Sequence, residues 1–360
     1  MLRTLLTTID FPPKKGGIAR YLDRFATYFA DRLFVIASPF DTEESSDDQR
    51  IYKIEREKLL FDYFRPRWVR TILLLLKKRK KYDQILVSHV LPLGTAARIT
   101  KIFTKKPYIV IIHGMDVRLA KKSRIKKMLC KNALVNAKLV ITNSSALKKE
   151  VERDFNLSSA VVSYPCFEKE DLIKKEHQGI NLLTVSRLVS RKGHLRTLQA
   201  LDRLLKEKPE LAITYHIVGS GPELQRIQKE VYERKLDGHV VFHNKCSDKE
   251  LKELYACSDI FVMPVQDHPT DKEGFGMVYQ EAAQYGIPSI ATKMSGVDEA
   301  VLHLETGILI ADGDINALKD VLCKLIEDGA LRDKLGRNAQ KRVKTVFSPE
   351  AQLEPLKKFL

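Results

Sequence analysis

The sequence predicts an α/β protein built from two doubly wound, Rossmann-like parallel-sheet domains with a cleft between them. Three observations carry that expectation. Short apolar runs alternate along the chain with amphipathic segments, the pattern of a parallel sheet covered by helices on both faces. The alternation breaks once, at Tyr164-Pro165-Cys166 and the polar run 168–178, and then starts again. The length, 360 residues, suits two domains, and 44% hydrophobic residues suffice for two cores.

In chain order, the first half offers strands at 2–7, 34–37, 85–88, 108–112, 139–142 and 160–162. The opening Met1-Leu2-Arg3-Thr4-Leu5-Leu6-Thr7 is short and leads into a loop, so it reads as a first strand rather than a signal peptide. The second half offers strands at 180–185, 215–218, 240–242, 260–263, 289–292 and 308–310. No internal repeat or low-complexity tract interrupts them. In such sheets ligands bind beyond the carboxyl ends of the strands, and the interdomain cleft is the expected site.

Composition narrows the function classes. No run approaches the roughly 20 apolar residues of a membrane span; the longest are Ile72-Leu73-Leu74-Leu75-Leu76 and 108–112. The five cysteines (130, 166, 246, 257, 323) form no Cys-x-x-Cys pair, which favours reduced thiols in a cytoplasmic protein and argues against a cysteine zinc site. Net charge is +16, but residues 51–150 alone hold 25 Lys or Arg against 6 Asp or Glu, so the remaining 260 residues sum to −3. A positive field confined to one domain implies an anionic partner there: a membrane surface, a phosphorylated substrate or nucleic acid.

The chemistry gathers around Glu273-Gly274-Phe275-Gly276-Met277-Val278-Tyr279-Gln280-Glu281. Two glycines bring the backbone close to a ligand, and residues 277–283 followed by Gly286-Ile287-Pro288 predict a loop running into a helix of two to three turns. The first turn then aims free N–H groups at a phosphate or a sugar hydroxyl. Were the stretch helical throughout, Glu273 and Glu281 would stand about 12 Å apart. That is wider than the roughly 5–9.5 Å of a glycosidase pair, so they serve different parts of a ligand, unless both are ordinary exposed helix glutamates.

Elsewhere, Gly16-Gly17 opens a helix after the first strand, either to receive a phosphate or simply to turn the chain. His113 directly follows the strand at 108–112, where a parallel sheet places chemistry, although a lone histidine there also serves as a satisfied structural residue. Arg187 and Lys192 lie on the loop after the second domain's first strand. They are either solvated cations or a clamp for a diphosphate leaving group, with Arg191 a competitor for the clamp. Asp312-Gly313-Asp314 has the Asp-x-Asp form of a metal chelate, but it precedes a helix, so Asp314 reads more simply as an N-cap.

The stretch 273–281 with its continuation Ala282-Ala283-Gln284-Tyr285-Gly286-Ile287-Pro288 resembles the signature of family 4 (group 1) retaining glycosyltransferases of the GT-B fold, two glutamates separated by seven residues. Ser186-Arg187-Leu188-Val189-Ser190-Arg191-Lys192-Gly193, Val218-Gly219-Ser220-Gly221-Pro222 and Ser295-Gly296-Val297-Asp298-Glu299-Ala300-Val301 with Thr306-Gly307 resemble further motifs of that family, in order. The resemblance implies a hexosyltransferase that uses a nucleoside-diphosphate sugar and needs no metal or other cofactor.

It also assigns residues. Gly17, Arg187, Lys192, Glu273, Phe275, Gly276, Met277, Val278 and Glu281 would bind the donor, with Glu281 on the ribose and Glu273 on the sugar. His113, Arg187, Lys192 and Glu273 would be catalytic. Asp116 is taken as support for the loop carrying His113.

The implied domains are an acceptor-side domain at 1–165, a linker at 166–178, a donor domain at 179–345 and a C-terminal helix at 346–360 returning to the first domain. Departures from the pattern lie at Asn244-Lys245, where a glycine is usual, at Tyr164-Pro165-Cys166, which lacks an Asn-Gly, and at 266–272, which is longer and more polar. These bear on specificity rather than on reaction class.

The implied acceptor is anionic or lipid-linked, in cell-envelope glycan or glycolipid synthesis. Basic runs at 65–81 and 121–127 suggest peripheral binding to the inner membrane face. The first run has a plainer reading, a core helix whose leucines pack on the sheet. The competing functions are a nucleotide-sugar epimerase of the same build and, from another class, a nucleic-acid-binding protein. The latter is disfavoured because most cations sit on segments joining apolar strands rather than interleaving with aromatics, so no nucleic acid is expected as a partner.

Overall fold

The computed structural model describes residues 2–14, 16–40, 47–158, 160–169, 172, 174–268 and 273–360. The chain divides into two units, 1–167 with 347–360, and 168–346, passing between them after Phe167 and again after Val346.

The first unit holds strands β1 (Thr4–Thr8), β2 (Leu33–Ala37), β3 (Lys53–Arg56), β4 (Gln84–Ser88), β5 (Tyr108–Ile112), β6 (Leu139–Thr142) and β7 (Val161–Val162), in the order β3-β2-β1-β4-β5-β6-β7. Every pair is parallel. Its helices are α1 (Gly17–Tyr28), α2 (Val69–Lys77), α3 (Thr95–Thr104), α4 (Met115–Lys121), α5 (Arg124–Val135) and α6 (Ser145–Phe155). All residues of β1, β4 and β5 are buried, which is why these strands read as unbroken apolar runs rather than as alternation.

The strand β3 carries no such run. Lys53-Ile54-Glu55-Arg56 forms the sheet's edge, where charged residues are tolerated, and the search for apolar runs passes it by. Cys166 and Phe167 are buried in this unit, and Phe167 N–H donates to the Phe347 carbonyl at 2.7 Å. The described part of 168–178 holds no helix or strand.

The second unit repeats the winding. Strands β8 (Ile180–Val185), β9 (Ile213–Val218), β10 (Val240–His243), β11 (Ile260–Met263), β12 (Ser289–Thr292) and β13 (Gly307–Ile310) run in the order β10-β9-β8-β11-β12-β13. Its helices are α7 (His194–Glu207), α8 (Leu224–Glu233), α9 (Asp248–Ala256), α10 (Met277–Gln284), α11 (Val297–Ala300), α12 (Ile315–Glu327) and α13 (Gly329–Thr345), and α14 (Pro349–Leu353) belongs to the first unit. Leu198, Leu201, Ile217, Ile260, Leu318 and Leu322 pack in one core that joins strands to helices.

In each unit the winding reverses between the first and fourth strands, β1 and β4 in one and β8 and β11 in the other. The loops leaving those strands therefore diverge and open a crevice at the sheet's carboxyl edge.

Candidate active site

In the second unit the crevice is lined by the loops after β8 and β11. The β8 loop carries the turn Ser190–Lys192 and enters α7 through Gly193, whose φ is +78°. A Cβ there would lie 2.1 Å from the Pro264 carbonyl oxygen, so only glycine lets this loop close on the one after β11. The Gln266 N–H, donating to the Arg191 carbonyl at 2.7 Å, ties the two loops together.

Across that junction Glu273 Oε2 accepts from Lys192 Nζ at 2.6 Å and from Arg191 Nη1 at 2.5 Å. The three side chains are only 10–13% exposed. Burial alone would raise the Glu273 pKa, but the two cations overturn it and hold the carboxyl at about 2. Burial is also the main influence on Lys192 and lowers its pKa despite the carboxylate beside it. Glu273 Oε1 takes no hydrogen bond from any described residue, which leaves it to accept from a ligand hydroxyl.

Arg187, expected to form the clamp with Lys192, is exposed and its side chain makes no hydrogen bond or ion pair with any described residue. The partner of Lys192 in the folded chain is Arg191, joined to it through Glu273. Both cations stand on one short turn, and sequence alone leaves open which of them faces inward.

The predicted loop and helix are present, with α10 spanning two turns from Met277. Glu273 lies outside the helix, so the 12 Å separation of a continuous helix does not apply. Gly276 caps the helix with φ +79° and no side-chain cap, and Phe275 is buried beneath it. The N–H groups of Met277 and Val278 find no acceptor among the described residues, as is usual in the first turn of a helix, and are open to an anion.

Glu281 is not an ordinary exposed helix residue. It is 8% exposed and accepts from the Tyr255 hydroxyl at 3.1 Å, with Tyr255 stacked on Tyr285 at 5.4 Å.

The Asp-x-Asp pair is committed elsewhere. Asp312 pairs with Arg196 and accepts from Asp267 N–H at 3.3 Å, and Asp314 caps α12 by accepting from Ala317 N–H at 2.8 Å. Asn244 and Lys245 are exposed, and residues 269–272 of the longer loop lie outside the described residues.

The first unit carries a second buried cluster at its own crevice. Gly16 caps α1, which opens at Gly17, again with no side-chain cap. His113 leaves β5 half-buried, with Nε2 2.9 Å from Ser88 Oγ and the Tyr21 ring edge-on at 6.1 Å. Burial, then the nearby His89, depress its pKa well below the ordinary histidine value, so His113 is neutral.

Asp116 joins the loops after β4 and β5, accepting from Val90 N–H at 3.0 Å and Gly114 N–H at 3.1 Å. The sequence reading misses Asp10 and His89, whose Oδ2 and Nε2 stand 3.2 Å apart across the β1/β4 switch point. Neither lies in a recognised motif; the one available signal is that each closely follows a strand.

Two doubly wound parallel-sheet units, each with buried charge at its switch point, have the two-domain architecture of the GT-B class. The comparisons make this particular. The family model described as "Glycosyltransferase Family 4" matches residues 15–167, and that described as "Glycosyl transferases group 1" matches 167–342. A GDP-mannose-dependent alpha-(1-6)-phosphatidylinositol monomannoside mannosyltransferase of Mycolicibacterium smegmatis is 26% identical over 90% of this chain and 89% of its own. A monoacylated-substrate counterpart in Corynebacterium glutamicum is 26% identical over 99% of this chain and 97% of its own. Among solved structures, Anabaena Alr3699/HepE in complex with UDP and glucose superposes with a TM-score of 0.81 at 19% identity, over 100% of this chain and 99% of that one. The chain belongs to the family 4, group 1 glycosyltransferases and has the GT-B fold.

Proposed function

We propose that this glycosyltransferase moves a hexose, with retention at the anomeric carbon and without a metal ion, from a nucleoside-diphosphate sugar to a glycolipid or lipid-linked acceptor of the cell envelope. The observation that carries the reading is the buried Glu273–Lys192–Arg191 cluster beside the exposed Arg187 and the free N–H groups of α10.

A departing nucleoside diphosphate gains negative charge as the glycosidic bond breaks. Arg187, Lys192 and the N–H groups of Met277 and Val278 meet that charge as donors already fixed by the fold or aimed from the helix end. Glu273 Oε1 orients the sugar hydroxyls while Oε2 keeps Lys192 in place. Glu281 takes the ribose, and the Tyr255 hydroxyl fixes the carboxylate for it. His113, being neutral, serves as a hydrogen-bonding group toward the sugar rather than as an acid, and Gly17 at the head of α1 serves the donor phosphates. The engagement of Asp312 and Asp314 with Arg196 and α12 supports metal independence.

GDP-mannose stands first among donors to test, since both relatives named above depend on it, and UDP-glucose second. Thermal shift across a nucleotide-sugar panel in excess chelator should single out one donor, and mass spectrometry of a lipid-extract reaction should show one added hexose. Stabilisation that appears only after magnesium or manganese is restored would overturn the metal-free mechanism.

For the acceptor side, the peripheral-membrane reading gains support from the second basic run. In the first run Ile72 and Leu75 are buried, and Lys78 and Lys81 pair with Glu55, so part of that run is structural, while Arg65, Arg67, Lys77, Arg79 and Lys80 are exposed with no acidic partner among the described residues. Along α5 and just before it, Lys122, Arg124, Lys126, Lys127 and Lys131 are exposed with no acidic partner among the described residues. They flank Ile125 and Met128, 68% and 63% exposed.

A further inference from the structure

We propose that His89 is held as an imidazolium and acts as a positioning residue, fixing His113 in the tautomer that carries its proton on Nδ1. The argument is one of donors and acceptors. His89 Nε2 faces the Asp10 carboxylate at 3.2 Å, and His89 Nδ1 faces the Ser88 carbonyl oxygen at 2.8 Å. Neither oxygen has a proton to give, so both ring nitrogens carry one, and a ring protonated on both nitrogens is cationic.

The Ser88 hydroxyl lies 3.2 Å from His89 Nδ1, which is already a donor, and 2.9 Å from His113 Nε2. Its proton therefore goes to His113, Nε2 becomes the acceptor, and Nδ1–H is what His113 offers a ligand. The rings of His89 and His113 stand 5.1 Å apart, close enough for the fixed cation to keep its neighbour neutral.

Every charged group facing His89 favours the cation. Burial works against it, but Asp10 from the loop after β1 and Asp116 from α4 outweigh burial, so the pKa of His89 is raised. Asp10 is correspondingly driven far below the ordinary carboxylate range by His89, with Lys14 on its other oxygen. His89 has φ 82° and ψ 124°, a conformation costly for a residue with a side chain. It is retained where Ile111 accepts from the His89 N–H at 3.0 Å and Asp116 accepts from the next residue. Strain of this kind concentrates where a side chain must point one way.

The role given to His89 rests on the reading that His113 meets the sugar, whereas its protonation state does not. Full-length protein labelled with ¹⁵N-histidine should show, at neutral pH, protons on both nitrogens of His89 and on Nδ1 alone of His113. Asp10→Asn should lower the His89 titration by at least about one pH unit and shift the alkaline limb of the kcat profile with it, leaving the donor KM within about threefold. Ser88→Ala, which spares the ion pair, should give His113 a mixture of tautomers and cost about tenfold in kcat.

A neutral His89 in the wild type at neutral pH, or His113 protonated on Nε2, overturns the proposal. So does an Asp10→Asn variant whose His89 titration moves while the kcat profile stays fixed. A His113→Ala variant with wild-type turnover refutes instead the contact between His113 and sugar, and is distinguishable because the protonation states are read without turnover.

Discussion

Arg187 and Lys192 stand on the same loop, yet the structure gives them different burdens. Lys192 is buried against Glu273, while Arg187 is exposed and unpaired among the described residues. Arg187→Ala should therefore cost on the order of 10²–10³ in turnover, the loss expected of a transition-state donor, with stability changed by less than about 0.5 kcal/mol. Lys192→Ala should lower turnover and also destabilise by about 3 kcal/mol, because it removes a partner from a buried charge cluster. Urea unfolding beside steady-state kinetics separates the two, and equal stability losses would contradict the assignment.

Acid gives a second test of the same residues. The Glu273 carboxyl is held at about 2 in the folded protein, below the roughly 4.3 of an unfolded chain. A depressed carboxyl contributes stability above the unfolded value and loses it as pH falls through the folded one. The advantage of wild type over Glu273→Gln should be on the order of 3 kcal/mol at pH 7 and fade between about pH 4.3 and 2. A gap that is flat with pH would show that Glu273 is not the titrating group.

At the scale of elements, α10 carries two features of the candidate site on one short helix. Its N-terminus, opened by Gly276, presents N–H groups, and its second turn buries Glu281 against Tyr255. Glu281→Ala should weaken binding of the nucleoside diphosphate by about 1.5–3 kcal/mol, the worth of hydrogen bonds to a charged group. Glu273→Gln should leave that affinity nearly intact and lower turnover. Isothermal titration with the free nucleotide measures both, and equal affinities across wild type and the two variants would remove the division of labour between the carboxylates.

Over the whole molecule, charge is partitioned as sharply as the fold. The +19 of residues 51–150 lies in the first unit, and the cations of α5 and its approach are exposed with no acidic partner among the described residues. Each Lys or Arg near an anionic leaflet contributes about 1 kcal/mol. The protein should sediment with anionic vesicles at low salt and be released near about 0.5 M, where screening shortens to a few ångströms. Reversing Lys122, Lys126 and Lys127 to Glu should abolish binding, whereas reversing Lys77 and Lys80 in the first basic run should weaken it less. Failure of the wild type to bind would shift the acceptor to a soluble molecule.

The amino-acid order alone was enough for the fold class, for twelve of the thirteen strands among the described residues, and for the glycine-flanked loops of the candidate site. Strands buried on both faces must be apolar throughout, and a close backbone approach admits only glycine, so both leave a local trace. The edge strand β3 escaped for the converse reason, having no buried face to keep apolar. Which charges meet was settled by the closed fold and nothing less. Lys192 and Glu273 are 81 residues apart in the chain, and Asp10 and His89 are 79 apart. Each pair is brought together because β8 lies beside β11 and β1 beside β4. Strand order is set by how the whole chain winds, which no local pattern records, so the choice of Arg191 over Arg187 as the partner of the cluster and the ion pair behind His113 emerge only once the sheets are closed.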